Sequence, residues 1–449
     1  MTRLFGTDGV RGLANVDLTA PLALELGEAA ARLTIQGRPA SGHKPKAIIG
    51  RDTRISGEFL DHALAAGLAS AGMDVVRVGV VTTPTVAHLT ASSSVDLGVM
   101  ISASHNPMPD NGIKFFAHGG YKLPDQVEDQ IQELLNTPWD RPTGAAVGEV
   151  EYDDDWAEKS YIEHLMTSLG TDLHGLRIAV DCANGGASFL APEAFRQAGA
   201  DAVVINAAPD GRNINDKAGS THPEQLQALT VASEADFGVA YDGDADRCLA
   251  VDRYGNLVDG DKIMGALAVH MRDEGQLAKD TLVVTVMSNL GLILAMQEAG
   301  IKTIQTGVGD RYVLEAMLEG GYSLGGEQSG HIIAKKYATT GDGILSSLLL
   351  ARMVKESGRD LADLTSFIKR LPQTLINVGG VDRSRANTDP AVQEAVAAAE
   401  AVLGNTGRVL LRPSGTEPLV RVMVEAASQA QADGVASRLA DVVKENLSL

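Results

Sequence analysis

Three aspartates stand at alternate positions in YDGDADR: Asp242, Asp244 and Asp246. Gly243 and Ala245 put little bulk between them. Three carboxylates on one short loop repel each other unless a cation neutralises them. Oxygen-only ligands suit Mg²⁺ or Ca²⁺ rather than Zn²⁺. An EF-hand does not fit, because its sixth position holds Arg247 instead of Gly and its twelfth holds Arg253 instead of Glu. Arg247 directly after the acids suits a phosphate-bearing ligand beside a metal. A solvated acidic turn is the plainer alternative.

Other loops carry further candidates. Ser102–Phe116, SASHNPMPDNGIKFF, offers two hydroxyls, His105, two Asn, Asp110 and Lys114. A hydroxyl nucleophile needs activation and charge neutralisation, and Lys114 can reach back after a turn at Asp110–Gly112. By composition alone the same stretch is a polar turn. GGEQSGH sets Glu327, Ser329 and His331 at alternate positions, which an extended loop would place on one side. LRPSGTEPLVR sets Ser414, Gly415 and Thr416 between Arg412 and Arg421, either a phosphate cradle or an ordinary hairpin turn. GVGDR at Gly307–Arg311 and FGTDGVRG at Phe5–Gly12 are weaker versions of that cradle. Neither continues into a P-loop Gly-Lys-Ser/Thr.

The elements that position these loops follow a repeated plan. Lys46–Gly79, Leu176–Asn206 and Thr281–Gly307 each read as strand, Gly- or Asn-containing loop, helix, Ala-Gly stop and strand. This is βαβ grammar, with parallel strands and crossover helices. VDLGVMISASHNP at Val95–Pro107 echoes ADFGVAYDGDADR at Ala235–Arg247, and Asp96 and Asp236 lie 140 positions apart. GYSLGGEQSGH at Gly321–His331 is a more degenerate third copy. Each copy would end a strand and present a polar loop where open α/β sheets bind ligands. Beyond Leu371 come a strand, a helix over Asp389–Leu403, two strands around the Gly-Pro loop and a helix over Gln429–Leu447. The expected fold is therefore α/β: three similar α/β domains with mixed, mainly parallel sheets plus a smaller C-terminal α+β domain around a central cleft. The expected boundaries are 1–152, 153–253, 254–370 and 371–449. The acidic EYDDDW reads as a solvated connection.

Composition bounds the partners. The 449 residues carry 38 Lys and Arg against 58 Asp and Glu, a net charge of −20. This argues against nucleic acid and anionic membranes, but a few convergent Arg and Lys still accommodate a small anionic substrate. Cys182 and Cys248 are the only cysteines, too few for a disulfide framework or a zinc site. No signal-like start or membrane-length apolar run is present, so the expected setting is cytoplasmic.

Taken jointly and in order, FGTDGVRG, ISASHNP, DGDADR, GEQSGH and RPSGTEP resemble the α-D-phosphohexomutase superfamily across nearly the whole chain. The resemblance implies a phosphoserine at Ser104, not Ser102, and a Mg²⁺ site made by Asp242, Asp244, Asp246 and the phosphoserine oxygen. It implies sugar recognition by Glu327 and Ser329, and phosphate binding by Arg412, Ser414, Gly415, Thr416 and Arg421. Arg11, Lys114, Arg247 and His331 match polar positions near the transferring phosphoryl group. One position departs from the common pattern, with Ala245 where Gly is usual; its methyl leaves the carboxylates undisturbed unless the turn requires φ > 0. The opening motif and GEQSGH are most similar to hexosamine-phosphate-acting members of that superfamily, and this resemblance implies a small-molecule sugar phosphate substrate of the hexosamine type. Glucosamine 6-phosphate and glucosamine 1-phosphate would interconvert through a hexosamine 1,6-bisphosphate serving as intermediate or activator, in a monomer or homodimer. The rival readings are a glucose or mannose phosphomutase, a non-catalytic sugar-phosphate-binding protein, and a phosphatase using Asp242 as nucleophile.

Overall fold

The structure, a computed structural model, describes residues 3–6, 8–37, 44–153, 155–414 and 418–449. Residues Met1–Met287 with Ile301–Ser366 make one compact unit, and Ser288–Gly300 with Phe367–Leu449 make another.

The first unit holds three sheets. In the first, β1 (Val10–Leu13), β2 (Lys46–Arg51), β3 (Asp74–Val80), β4 (Leu97–Ile101), β5 (Asp110–Ala117) and β6 (Val150–Tyr152) lie in the order β1-β5-β4-β2-β3-β6. The second contains β7 (Arg177–Asp181), β8 (Asp201–Ile205), β9 (Phe237–Tyr241), β10 (Cys248–Asp252) and β11 (Leu257–Val258), ordered β11-β10-β9-β7-β8. The third contains β12 (Thr281–Thr285), β13 (Lys302–Thr306), β14 (Leu324–Gly326) and β15 (Ile332–Ala334), ordered β13-β12-β14-β15. All three share one core: two parallel strand pairs, then an antiparallel return. The strands read as parallel because their apolar runs are buried on both faces; every residue of β4 and β9 is buried.

The echo between Val95–Pro107 and Ala235–Arg247 is structural. Asp96 accepts from the Lys46 N–H at 2.9 Å, and Asp236 accepts from the Arg177 N–H at 2.9 Å. A Cβ on Gly98 would sit 2.2 Å from Thr90 Oγ1, and one on Gly238 would sit 2.3 Å from Thr230 Oγ1. Only glycine permits that approach of helix to strand. The EYDDDW stretch departs from expectation, since Val150–Tyr152 forms an edge strand parallel to β3. Among the described residues, no helix is long and apolar enough to cross a membrane.

The second unit is an antiparallel sheet of β16 (Gln373–Gly379), β17 (Arg408–Pro413) and β18 (Leu419–Glu425), ordered β16-β18-β17. Helices Pro390–Leu403 and Gln429–Leu447 cover it through a core that includes Val420, Val422, Val424, Val435, Leu439 and Val443. Helix Leu290–Glu298, which the βαβ reading places between β12 and β13, clusters with this unit. Its first N–H, on Leu290, donates to Glu425 Oε2 at 2.9 Å, and Asn289 Nδ2 donates to Oε1 at 3.2 Å. A buried carboxylate at a helix N-terminus is favourable, and Arg408 Nε completes its satisfaction at 2.7 Å.

Candidate functional site

The β4–β5 and β9–β10 loops come together. Ser104 Oγ donates to Asp242 Oδ2 at 2.5 Å and lies 3.2 Å from His105 Nδ1. Ser104 is 1% exposed and left-handed, with φ +52°. A non-glycine residue there is strained by about 1–2 kcal/mol, so its surroundings must hold it. They do so at both ends of the residue. Its N–H donates to Ser102 Oγ at 2.9 Å, and Ser102 Oγ donates to Asp52 Oδ2 at 2.6 Å. Ser102 therefore buttresses Ser104, an arrangement unlike two equivalent hydroxyls.

The acidic loop is equally constrained. Asp242, Asp244 and Asp246 are buried, with ligand oxygens within 4.8 Å of one another. Ala245 between them has φ +55°. The turn does use the left-handed region, so the departure from Gly stores strain here. The Ala245 N–H donates to Asp242 O at 3.1 Å, and Ala245 O accepts from the Gly343 N–H at 2.9 Å. Thr83, at the start of helix Thr83–Ser92, binds Asp244 twice: its Oγ1 donates to Oδ2 at 2.6 Å and its N–H to the carbonyl at 2.9 Å.

Lys114 reaches this cluster because Met100 and Lys114 are paired in the β4–β5 ladder. Its Nζ lies 2.8 Å from Asp244, 3.0 Å from Asp8 and 3.6 Å from Asp246. Burial alone would push Asp244 up, but Lys114 and Thr83 hold it well below the usual carboxylate range. Burial likewise works against the Lys114 charge, but Asp244, Asp8 and Asp246 raise it above an ordinary lysine. Asp242 has only Arg247 as a cation to oppose its burial. Burial, then Asp246 and Asp244, push it well above its usual range. Three carboxylates buried this close together repel one another when ionised. Among the described residues, Asp244 Oδ1 and Asp246 Oδ1 are also buried without hydrogen-bond partners. Hard, orphaned oxygens and this mutual repulsion fit a divalent cation.

Donors with spare capacity surround these acids. Among the described residues Arg11 Nε, Arg247 Nε and His331 Nδ1 are buried without a hydrogen-bond partner, while Arg247 Nε lies 3.9 Å from Asp246 Oδ1. Arg11, on β1 opposite Gly112, pairs with Asp8. Arg247 and His331 form an isolated β-bridge between the second and third domains. His331 Nε2 accepts from the Gly341 N–H at 3.2 Å, which leaves the proton of a neutral ring on Nδ1. His105 is held neutral, its pKa lowered to about 4 by burial and then by Arg247 and Arg11.

The GEQSGH loop is a tight turn, not the extended segment that alternation implied. The Gly330 N–H donates to Glu327 O at 3.0 Å, and the Glu327 N–H to His331 O at 2.9 Å. Glu327 Oε1 accepts from the Gly309 N–H at 3.1 Å, and Ser329 Oγ lies 3.5 Å from Oε2. Within the second unit, Arg412 and Arg421 are direct cross-strand partners. Like charges opposite each other are unfavourable without an anion, and burial, then Arg421, lowers the Arg412 pKa. Ser414 is buried and its carbonyl accepts from Arg383; Gly415 and Thr416 lie outside the described residues.

In GVGDR the charged side chains are engaged with the first domain. Asp310 pairs with Lys122, and Arg311 with Asp125 and Glu128. This ties the third domain to the first. Sequence reasoning also passed over Asp52, Arg54, Thr83 and Asn215. A buried Asp-x-Arg at the end of an apolar strand was the one available signal, since Asp52 and Arg54 form an ion pair with no exposure.

Comparison with known proteins agrees with this geometry. Phosphoglucomutase/phosphomannomutase α/β/α domains I, II and III match residues 2–140, 159–255 and 259–371, and the C-terminal domain of that family matches 375–442. Phosphoglucosamine mutase of Bifidobacterium animalis subsp. lactis is 60% identical, and that of Streptomyces coelicolor 59%, each over 100% of both chains. A phosphoglucomutase/phosphomannomutase family protein of Burkholderia thailandensis superposes with a TM-score of 0.81 at 25% identity, covering 99% of this chain and 98% of that one. Aspergillus fumigatus N-acetylphosphoglucosamine mutase, solved with GlcNAc-6P and magnesium, shares the fold with a TM-score of 0.70 at 20% identity, over 99% of this chain and 96% of that one. From four sheets in this order and full-length relatives of this closeness, the chain belongs to the phosphoglucomutase/phosphomannomutase family, among its phosphoglucosamine mutases.

Proposed function

We propose that Ser104 carries the phosphoryl group and that the enzyme interconverts glucosamine 6-phosphate and glucosamine 1-phosphate through a hexosamine 1,6-bisphosphate. One observation carries this reading: Ser104 Oγ lies 2.5 Å from Asp242 in a buried acidic cluster with orphaned oxygens. Mere sugar-phosphate binding needs no hydroxyl in that position. The ~60% identity to phosphoglucosamine mutases over the full chain favours the hexosamine substrate.

A phosphoserine brings about −1.5 to −2 charges. Asp242, Asp244, Asp246 and a phosphoserine oxygen would hold a Mg²⁺. That ion, when bound, supplies the charge neutralisation that phosphoryl transfer requires. The chain's own residues do the rest. Lys114 offsets Asp244 and Asp246, while Arg11, Arg247 and His331 would offer further donors to the phosphoryl oxygens. In the first transfer the P–Oγ bond of Ser104 breaks and a bond to sugar O1 or O6 forms, the proton of that hydroxyl passing in net to Ser104 Oγ. In the second, the other phosphate of the bisphosphate returns to Ser104. Glu327 and Ser329 take sugar hydroxyls. Arg412, Ser414, Gly415, Thr416 and Arg421 take the phosphate that is not being transferred, so its binding energy orients the reacting hydroxyl.

Steady-state kinetics with glucosamine, glucose and mannose 6-phosphates tests the substrate. The expected order puts glucosamine first in kcat/KM; a higher value for glucose or mannose would reassign the enzyme to hexose phosphates.

A further inference from the structure

The loop that carries Ser104 is gripped by its backbone carbonyls from two domains at once. Arg54 Nη2 donates to the carbonyls of Ser104 at 3.2 Å and Asn106 at 2.6 Å. Asn215 Nδ2 donates to the same two carbonyls at 2.9 and 3.1 Å. Arg54 follows β2 in the first domain and is fully buried beside Asp52. Asn215 lies in the second domain, between β8 and β9, and its N–H is anchored to Ala183 O at 2.9 Å. It is 9% exposed.

These contacts answer a specific problem. Left-handed Ser104 is a conformation that persists only when its surroundings over-determine it. Its N–H is fixed through Ser102 to Asp52, and its Oγ faces Asp242. Its carbonyl is what Arg54 and Asn215 hold. Asn215 also belongs to the domain that supplies Asp242, Asp244 and Asp246. A hydrogen bond from Asn215 to Ser104 O therefore fixes the Ser104 backbone relative to the acidic loop, alongside the side-chain contacts of Ser104, Thr83 and Lys114 with that loop.

We infer that Asn215, supported by Arg54, is a positioning residue for phosphoryl transfer, holding the Ser104 peptide in register with the acidic loop. The inference rests on Ser104 being the phosphorylated nucleophile. Asn215 touches neither the sugar nor the transferring phosphoryl group in this account, so its loss should lower kcat with little change in KM. A displacement of about 1 Å at a reacting atom costs on the order of 10²-fold in rate.

Two variants separate positioning from folding. Asn215 itself has φ +57°, so Asn215→Gly keeps the backbone and removes the donor. Asn215→Asp keeps the shape and turns an oxygen towards the two carbonyls. In each, peptide mapping first locates the phosphate, and kcat, KM, Tm and the ³¹P resonance of the phosphoenzyme are then measured. The expected result is phosphate on Ser104, kcat reduced about 10- to 100-fold, KM within about twofold, and a shifted or broadened ³¹P resonance. Wild-type kcat and ³¹P signal in folded variants would overturn the positioning role and leave the nucleophile standing. A kcat loss that tracks Tm with an unchanged ³¹P signal would do the same. Phosphate mapped elsewhere in the wild-type enzyme would overturn the inference together with the assignment of Ser104.

Discussion

Val95–Pro107 and Ala235–Arg247 are built alike well beyond their sequence echo. The offset of 140 positions carries Asp96 onto Asp236, Gly98 onto Gly238 and Thr90 onto Thr230. In both copies the threonine hydroxyl donates to the carbonyl four residues back, at 2.7 Å, and the glycine admits it against the strand. Past the strand end the copies part. Ser102, Ser104 and Asn106 in one stand where Asp242, Asp244 and Asp246 stand in the other. The neutral loop can be fixed by hydrogen bonds alone, through Asp52, Arg54 and Asn215. The acidic loop cannot, because fixing it leaves its charge uncompensated; Lys114 from the neutral copy supplies part of the remedy. The repeated plan thus gives two similar platforms, and the side chains at three alternate positions suit one to the proposed nucleophile and the other to the proposed cation.

The comparison breaks most completely at Ser104. Ser104→Ala should lose turnover by at least about 10³-fold, as expected when a covalent nucleophile is removed. Calorimetric binding of glucosamine 6-phosphate should survive. Full activity in this variant, with phosphate on Ser102, would exchange the roles of the two serines. Breaking the other copy should have a smaller effect. Asp244→Asn keeps the shape but removes one charge, and Mg²⁺ affinity followed by activity titration after EDTA treatment should fall about 10- to 100-fold or more. Undiminished activity in excess EDTA would remove the metal from the account.

The shared scaffold is tested by stability alone. Gly98→Ala and Gly238→Ala each force a methyl to within 2.2–2.3 Å of a threonine oxygen. Both should cost about 1–3 kcal/mol in denaturant unfolding, and a large difference between them would mean the copies are packed differently. The smallest effect distinguishes the copies by pH. His88, where the second copy has Ala228, stacks on His164 with ring centroids 4.3 Å apart. Burial, then His164, lowers its pKa from 6.5 to about 4. The folded state therefore favours the neutral ring, so this contribution is complete above about pH 6.5 and is lost as pH falls towards 4. His88→Gln should flatten the decline of Tm across that window; an unchanged decline would place the acid sensitivity elsewhere.

What was legible in the sequence follows from the same physics. Buried apolar strands, Ala-Gly helix stops and polar strand ends leave strong local patterns, so the domain plan and the carboxylate loop could be read directly. Edge strand β6 could not, because Val150–Tyr152 is exposed throughout and shows no alternation of burial. Helix Leu290–Glu298 has the expected period, but Glu425, far along the chain, decides which unit it joins. Asn215 and Arg54 act on backbone carbonyls, and nothing in side-chain spacing marks such a partner. Ala245 showed only that a glycine was missing; that the turn is left-handed there needed coordinates.

The central claim is that the phosphoryl group travels between Ser104 and the sugar. Enzyme labelled with ³²P from a hexosamine 1,6-bisphosphate, mapped by peptide digestion and then chased with glucosamine 6-phosphate, tests it most directly. The expected result is label on Ser104 before the chase and in sugar bisphosphate and monophosphate after it, with little inorganic phosphate. Label on Asp242, or label released chiefly as inorganic phosphate, would contradict the account and point to a phosphatase.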